Sequence, residues 1–90
     1  MKVNLYTTCG CHLCEEAFSL LQLLQHDGWN LQINEVEIAT SDSLIERYGV
    51  RIPVIATDAG SHGSELGWPF SQKELTEFLI QAGTAMDNKP

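Results

Sequence analysis

The chain has few basic residues, no long apolar run and no cysteine beyond position 14, and each shortage excludes a class of protein. Lysine and arginine number 5 against 12 aspartate and glutamate residues, which gives a net charge of -7 at pH 7. Nucleic-acid backbones and anionic membrane surfaces are bound by clustered Lys and Arg, so we expect neither a nucleic-acid nor a membrane partner. No run approaches the roughly 20 apolar residues of a membrane span.

The composition is otherwise ordinary for a small globular domain. The chain has 90 residues, of which 43% are hydrophobic and 19% charged, and a chain of this length builds one core. The first apolar stretch is too short for the central region of a signal peptide. We therefore expect a cytoplasmic protein with one domain over residues 1–83 and a flexible tail over residues 84–90.

The three cysteines, at positions 9, 11 and 14, are the most informative feature of the sequence. A disulfide framework joins distant segments, which cysteines this close together cannot do. Local clustering of this kind is typical of redox or metal chemistry.

The hydrophobic pattern of the first half predicts a strand, a helix and a second strand. Residues 2–6 alternate as a strand does, and residues 12–27 repeat at helical spacing. Gly28 is expected to end that helix in the left-handed conformation. Strand periodicity returns over residues 29–38 with a phase slip at Glu35, which we interpret as a bulge or as burial on both faces.

Two further helices are marked by capping signals. Residues 40–43 offer several N-caps, and among them Ser43 has the spacing of a capping box with Glu46. The short helix behind these residues should bury Leu44, Ile45 and Tyr48. Ser71 and Glu74 have the same spacing before a last helix, which we expect to end at Gly83 after burying Leu75, Phe78, Leu79 and Ala82.

Between those helices the sequence predicts a hairpin. Residues 50–57 contain a strand with Pro53 at its start, and the Gly- and Ser-rich residues 58–64 form a turn into a short strand near Glu65. The first βαβ unit requires a parallel, right-handed crossover, whereas the close second pair favours an antiparallel hairpin. The sequence therefore predicts an α/β fold of order β-α-β-α-β-β-α, with a four-stranded mixed sheet and helices on both faces.

Cys11 and Cys14 form a C-x-x-C motif where the first strand turns into the first helix. Cys11 falls at the N-cap, where unpaired N–H groups and the helix dipole stabilise a thiolate. Glu15 and Glu16 oppose this, but exposed carboxylates are screened, so we predict a lowered pKa for the Cys11 thiol and a smaller change at Cys14. The outer thiolate can attack a substrate disulfide, and the inner thiol can then resolve the mixed disulfide.

Other uses of the cysteines stay open at this point. Cys9, Cys11 and Cys14, with His12 as a fourth ligand, could bind zinc, copper(I) or an iron–sulfur cluster, although structural zinc sites normally take ligands from two separated segments. The motif could also hold structural thiols, or the domain could be a non-catalytic interaction module. Cys9 is either a small buried side chain at the strand end or a third redox thiol.

The C-x-x-C motif after a short strand, the sequence YGVRIPV over residues 48–54 and the element order together resemble the thioredoxin fold. The short chain, without an extra N-terminal strand and helix, is similar to the small glutaredoxin-like members of that superfamily. The resemblance implies a thiol–disulfide oxidoreductase, with Cys11 as nucleophile and Cys14 as resolving thiol, acting on disulfide-containing proteins or glutathione mixed disulfides. It implies no bound cofactor, and glutathione or a protein reductase as the source of electrons.

The resemblance also implies a substrate site around Pro53. Pro53 would be a cis proline that faces the cysteines, and the backbone of Ile52 would pair with the substrate as one added strand. Arg51 is either a surface residue or a positive charge for the carboxylates of the substrate. Trp68 either packs the last helix against the sheet or lines a groove beside Pro53.

The chain departs from typical glutaredoxins at two places. His12 and Leu13 stand between the cysteines where Pro-Tyr is usual, and His12 could stabilise the neighbouring thiolate. The Gly-Gly-x-Asp contact to glutathione is not evident, since residues 65–70 read ELGWPF. These departures leave the redox chemistry in place and put glutathione binding in question.

Overall fold

The computed structural model describes residues 2–57 and 65–87, with side chains up to residue 81. The predicted element order is confirmed, with one 3-10 turn (Ile38–Thr40) added before the second helix. The strands and helices are β1 (Lys2–Thr7), α1 (His12–His26), β2 (Gln32–Glu37), α2 (Asp42–Tyr48), β3 (Val54–Thr57), β4 (Glu65–Gly67) and α3 (Gln72–Asp87).

The strands form one mixed sheet in the order β2-β1-β3-β4. β1 runs parallel to β2 and antiparallel to β3, and β3 pairs antiparallel with β4. The predicted crossover and hairpin pairings are therefore confirmed. The turn predicted over residues 58–64 lies outside the described residues.

The strand directions bring four chain segments to one end of the sheet. Thr7 at the end of β1 pairs with Glu37 at the end of β2. Val54 at the start of β3 pairs with Tyr6 of β1 and with Gly67 at the end of β4. We call this the cysteine end of the sheet, because the loop that follows β1 leads into Cys11.

The sheet separates two cores of unequal size. On one face, α1 and α3 pack against β1 and β3 and form the main core, whose members are Val3, Leu5, Ala17, Leu21, Leu24, Leu31, Ile55, Phe70, Leu75 and Leu79. On the other face, α2 forms a second core of Ile38, Tyr48 and Val54, with Tyr6, Leu44 and Ile52 packed around it. Helices on both faces confirm the predicted architecture.

Two of the predicted helix boundaries are confirmed in atomic detail. Gly28 follows the C-cap of α1 with a φ of +106°. At the start of α3, the N–H of Ser71 donates to Oε1 of Glu74 at 2.9 Å and the N–H of Glu74 donates to Oγ of Ser71 at 3.1 Å. In the described part of the chain, no helix is both long and apolar enough to cross a bilayer.

Other details of the helices were predicted wrongly. Of the N-cap candidates predicted over residues 40–43, it is Ser41 that caps α2, since its hydroxyl accepts from the N–H of Leu44 at 3.4 Å; the capping box predicted from Ser43 is therefore wrong. Ile45 is 44% exposed, because the sheet takes up the Leu44 side of this short helix and Ile45 points about 100° away from that side. α3 continues to Asp87 because one internal glycine costs only about 1 kcal/mol; the domain boundary at residue 83 stays a prediction.

Both interpretations of the phase slip in β2 were wrong. β2 keeps an unbroken register with β1 from Gln32 to Glu37, which excludes a bulge at Glu35. None of its residues is fully buried, because β2 is an edge strand. An edge strand that is partly exposed on both faces does not need strict alternation.

Gly28→Ala should lower the free energy of unfolding by about 1 kcal/mol, since a Cβ disfavours the left-handed conformation. Gly67→Ala is the matched control. A Cβ added at either position meets no atom within 4 Å, and of these two glycines Gly28 alone has a positive φ. Urea unfolding of both variants measures the difference. Equal losses in the two variants would contradict this explanation.

Candidate active site

Cys11 and Cys14 form a disulfide at the amino end of α1, with their Cα atoms 5.2 Å apart. Cys11 is the N-cap of the helix, as predicted, and its Sγ accepts the N–H of Cys14 at 3.1 Å. One of the unpaired N–H groups of the first turn is thus directed at this sulfur. Cys14 is only 3% exposed, whereas Cys11 is partly exposed, so the pair has an outer and an inner member.

A tight turn over residues 8–11 leads from β1 into the helix. The N–H of Cys11 donates to the carbonyl of Thr8 at 3.2 Å, and Gly10 has a φ of +81°, as the third residue of a type II turn requires. Cys9 lies on this turn and is exposed. The expectation of a buried Cys9 was wrong because β1 ends at Thr7, before the chain reaches it.

Glu37 attaches this turn to the neighbouring strand. One carboxylate oxygen accepts the N–H of Cys9 at 3.1 Å, and the other accepts the N–H of Ala39 at 3.0 Å. The hydrogen bond from Ala39, followed by one from the Thr8 side chain, lowers the pKa of Glu37. Sequence reasoning missed this residue, because its role follows from the parallel register in which Glu37 faces Thr7.

The segment before β3 reaches the same end of the sheet. The Ile52–Pro53 bond is cis, as the resemblance implied. The N–H of Trp68 donates to the carbonyl of Pro53 at 3.0 Å, so the chain at Trp68 lies beside the proline. The Trp68 ring packs against the main core and meets Phe70 edge to face at 5.0 Å. Both expectations for its position are therefore compatible with the structure.

Tyr48 binds the backbone of the segment that precedes Pro53. Its carbonyl accepts the N–H groups of Arg51 at 2.8 Å and Ile52 at 3.1 Å. Its hydroxyl donates to the carboxylate of Glu65, and its ring stacks on Tyr6 with a centroid distance of 4.2 Å. Burial and then the hydrogen bond to Glu65 raise the pKa of Tyr48, so the phenol stays protonated at neutral pH.

Glu65, which accepts the hydroxyl hydrogen bond of Tyr48, also forms ion pairs with two arginines. Arg51 approaches one of its carboxylate oxygens at 3.2 Å, and Arg47 approaches the other at 3.5 Å. The hydroxyl of Tyr48 first, and then the two arginines, lower the pKa of Glu65. The charge that the sequence suggested for a substrate at Arg51 is therefore shared with an internal carboxylate.

His12 is the remaining predicted site residue, and no hydrogen bond or ion pair described above involves its side chain. His12 is exposed as the first residue of α1. Within residues 2–57 and 65–87, no group of three His, Cys, Asp or Glu side chains is placed to hold a metal ion. Cys11 and Cys14 are bonded to each other here, and a sulfur in a disulfide is not a thiolate ligand.

Glu65→Gln should lower the free energy of unfolding near neutral pH by about 1–2 kcal/mol, because the hydrogen bond from Tyr48 then reaches a neutral acceptor. The folded-state pKa of Glu65 lies below its ordinary value of 4.5, so this contribution is present above that value. It disappears as the pH falls through the lower folded-state pKa. The difference between wild type and variant should therefore shrink in acid.

Urea unfolding of both proteins across that pH range measures the effect. Glu77→Gln, at an exposed position of α3, is the control and should change the free energy of unfolding by less than about 0.5 kcal/mol. A difference between wild type and Glu65→Gln that does not vary with pH would contradict the assignment.

In the reduced protein, Cys11 should be alkylated faster than Cys9 at about pH 6, and this advantage should narrow by about pH 9. Both side chains are accessible, but only the sulfur of Cys11 receives a helix N–H group. Iodoacetamide labelling with mass mapping of each thiol measures the two rates in one sample. Superimposable pH profiles would show that the helix terminus does not stabilise the thiolate.

Comparison with known proteins places this geometry in a family. A structure of target protein XcR50 from X. campestris is 32% identical, with a TM-score of 0.73 over 88% of this chain and 96% of that chain. Thioredoxin 1 from Thermosipho africanus is 16% identical, with a TM-score of 0.69 over 99% of this chain and 100% of that chain, and shows the fold alone. No curated protein matches the sequence. The family model for the glutaredoxin-like domain (DUF836) matches residues 2–80, and the chain therefore belongs to this glutaredoxin-like family.

Proposed function

We propose that the protein is a thiol–disulfide oxidoreductase that uses Cys11 and Cys14 on protein or glutathione mixed disulfides. The observation that carries this proposal is the cysteine pair at disulfide distance, with the N–H of Cys14 on the sulfur of Cys11. The same N–H that contacts the sulfur here stabilises a thiolate at that position in the reduced form.

The reaction needs only the two cysteines. The thiolate of Cys11 attacks one sulfur of a substrate disulfide, so a mixed disulfide forms and the other substrate sulfur leaves as a thiolate. Cys14 then loses its proton to solvent and attacks Sγ of Cys11. This second exchange releases the remaining substrate thiolate and leaves the Cys11–Cys14 disulfide, so two electrons have passed from the protein to the substrate.

The difference in exposure supports this order of the two roles. The partly exposed Cys11 can meet a substrate sulfur, whereas Cys14 is almost fully buried and can reach only its neighbour. No bound organic cofactor takes part, because the electrons reside in the cysteine pair. Glutathione or a protein reductase would return the disulfide to the dithiol, and a reducing compartment such as the cytoplasm suits this cycle.

Substrate would lie along the segment at Pro53. The N–H of Ile52 already donates to Tyr48, so we propose that the Ile52 carbonyl pairs with the substrate backbone as an added strand. Trp68 would line the same site next to Pro53, to whose carbonyl its own N–H is bonded. His12, which is exposed beside Cys11, would border the substrate on the other side.

Cys14→Ser should accumulate a mixed disulfide through Cys11 when it meets a disulfide substrate, because the thiol that resolves it is missing. Cys11→Ser is the matched control and should trap far less, since Cys14 is buried. Both changes are made in a Cys9→Ser background, and the adducts are located by mass spectrometry. A Cys14→Ser protein that traps nothing through Cys11 would contradict these roles.

A redox titration of the metal-free wild-type chain complements the trapping experiment. The protein is equilibrated across ratios of reduced to oxidised glutathione, its free thiols are alkylated, and each cysteine is mapped. A reversible Cys11–Cys14 disulfide is expected. Its absence at every ratio would contradict the oxidoreductase and would make metal binding by the cysteines the first alternative.

A further inference from the structure

Apolar side chains surround the cysteine end of the sheet. Leu13, between the two cysteines, is 43% exposed, and Val50, three residues before the cis proline, is 101% exposed. Ile52 and Trp68 are partly buried on the segments that reach the same end. We call Leu13, Val50, Ile52 and Trp68 the apolar collar. Single exposed apolar residues are normal, but here they lie on three different segments that converge on one reactive pair.

The α2–β3 segment shows why Val50 belongs to this end of the molecule. β3 begins at the cysteine end of the sheet, and Val50 lies four residues before it, on the segment that leads into β3. The backbone of this segment is held by the two N–H groups that the Tyr48 carbonyl accepts. Because hydrogen bonds already fix the backbone beside Val50, a partner can bind this exposed side chain without the entropy cost of ordering a loop.

Few basic side chains are present in the part of the chain that the structure describes, and two of them are paired with a carboxylate. Arg47 and Arg51 both contact Glu65, which pairs with the third residue of β3 and so lies about 7 Å along the sheet from the cysteine end. Lys2 begins β1 at the opposite end. Lys73 lies on α3 in a surface groove with Ser71, Gln72, Thr76 and Glu77.

Acidic side chains, by contrast, follow the cysteines directly. Glu15 and Glu16 are both exposed in the first turns of α1, and the chain carries a net charge of -7. A small ligand with two carboxylates, such as glutathione, would approach like charges here. An apolar polypeptide segment would instead bury the collar.

We infer that this site selects a disulfide in a polypeptide whose side chains beside the cysteine are apolar, and that glutathione is a poor substrate. The inference rests on the proposed function and names its substrate class. The apolar collar would bind the apolar side chains of the polypeptide. The Glu65 carboxylate would disfavour glutathione, because it keeps two arginines from pairing with the carboxylates of that smaller ligand.

The test measures how fast the reduced wild-type chain is oxidised by four disulfides. These are 2-hydroxyethyl disulfide, oxidised glutathione, and a short disulfide-linked peptide with either Leu or Asp beside each cysteine. The Leu peptide should react about tenfold faster than oxidised glutathione and the Asp peptide, which corresponds to burial of one or two apolar groups. Equal rates for the Leu peptide and oxidised glutathione would overturn the inference.

Leu13→Gln/Val50→Asn removes the exposed part of the collar. The ratio of the Leu-peptide rate to the 2-hydroxyethyl disulfide rate should fall about 5- to 10-fold. Leu23→Gln is the matched control, since Leu23 is 50% exposed on the same helix but lies about 15 Å from Leu13; it should leave the ratio unchanged. An unchanged ratio in the double variant would show that the collar does not contact substrate.

Glu65→Gln tests the charge argument separately. With the carboxylate gone, Arg51 can turn toward a ligand, and the rate with oxidised glutathione should rise about 2- to 5-fold relative to 2-hydroxyethyl disulfide. A rate that does not rise would remove Glu65 from the proposal. Failure of the wild-type chain to form the Cys11–Cys14 disulfide with any of the four compounds would instead refute the proposed function itself.

Discussion

The pairing of β1 with a strand on each side is the constraint on which the rest of the site depends. Its parallel register with β2 places Glu37 beside the turn that carries Cys9, and its antiparallel register with β3 places the start of β3 at the same end. Four segments far apart in the chain thereby meet around one cysteine pair. A register shift of one residue would exchange the two faces of a strand and would separate the site from both cores.

Tyr48 connects the second core to this end of the sheet. It is 3% exposed, and its ring, hydroxyl and carbonyl each make a separate contact, to Tyr6, Glu65 and the segment before Pro53 respectively. The phenol therefore serves two purposes at once. It fills a small core under a helix of seven residues, and it positions the backbone that would receive substrate.

Local signals in the sequence predicted much of this fold. The C-x-x-C motif, the glycine after α1 and the Ser71–Glu74 capping box each act within a few residues, so their outcomes could be read from spacing. The resemblance added the cis bond at Pro53. The predictions failed at places where residues distant in the sequence determine the outcome. The exposure of Ile45 depends on how α2 meets the sheet, and the pattern of β2 depends on its position at the sheet edge.

The same distinction separates what was found in the site from what was missed. Cys11 at the helix N-cap follows from the order of the elements, whereas the contacts of Glu37 and Glu65 appear only once the strands are in register. An acidic residue at the end of a strand has no distinctive neighbours in the sequence. The partner of Arg51 likewise could not be predicted, because Glu65 is 14 residues away along the chain.

The spacing of the disulfide has a consequence for the energetics of the whole molecule. Cys11 and Cys14 are separated by three positions, so the bond closes a very small loop. A cross-link of this size removes little freedom from the unfolded chain compared with one that spans a domain. The two cores and the sheet therefore supply most of the stability of the fold, and we expect reduction of this bond to leave the architecture in place.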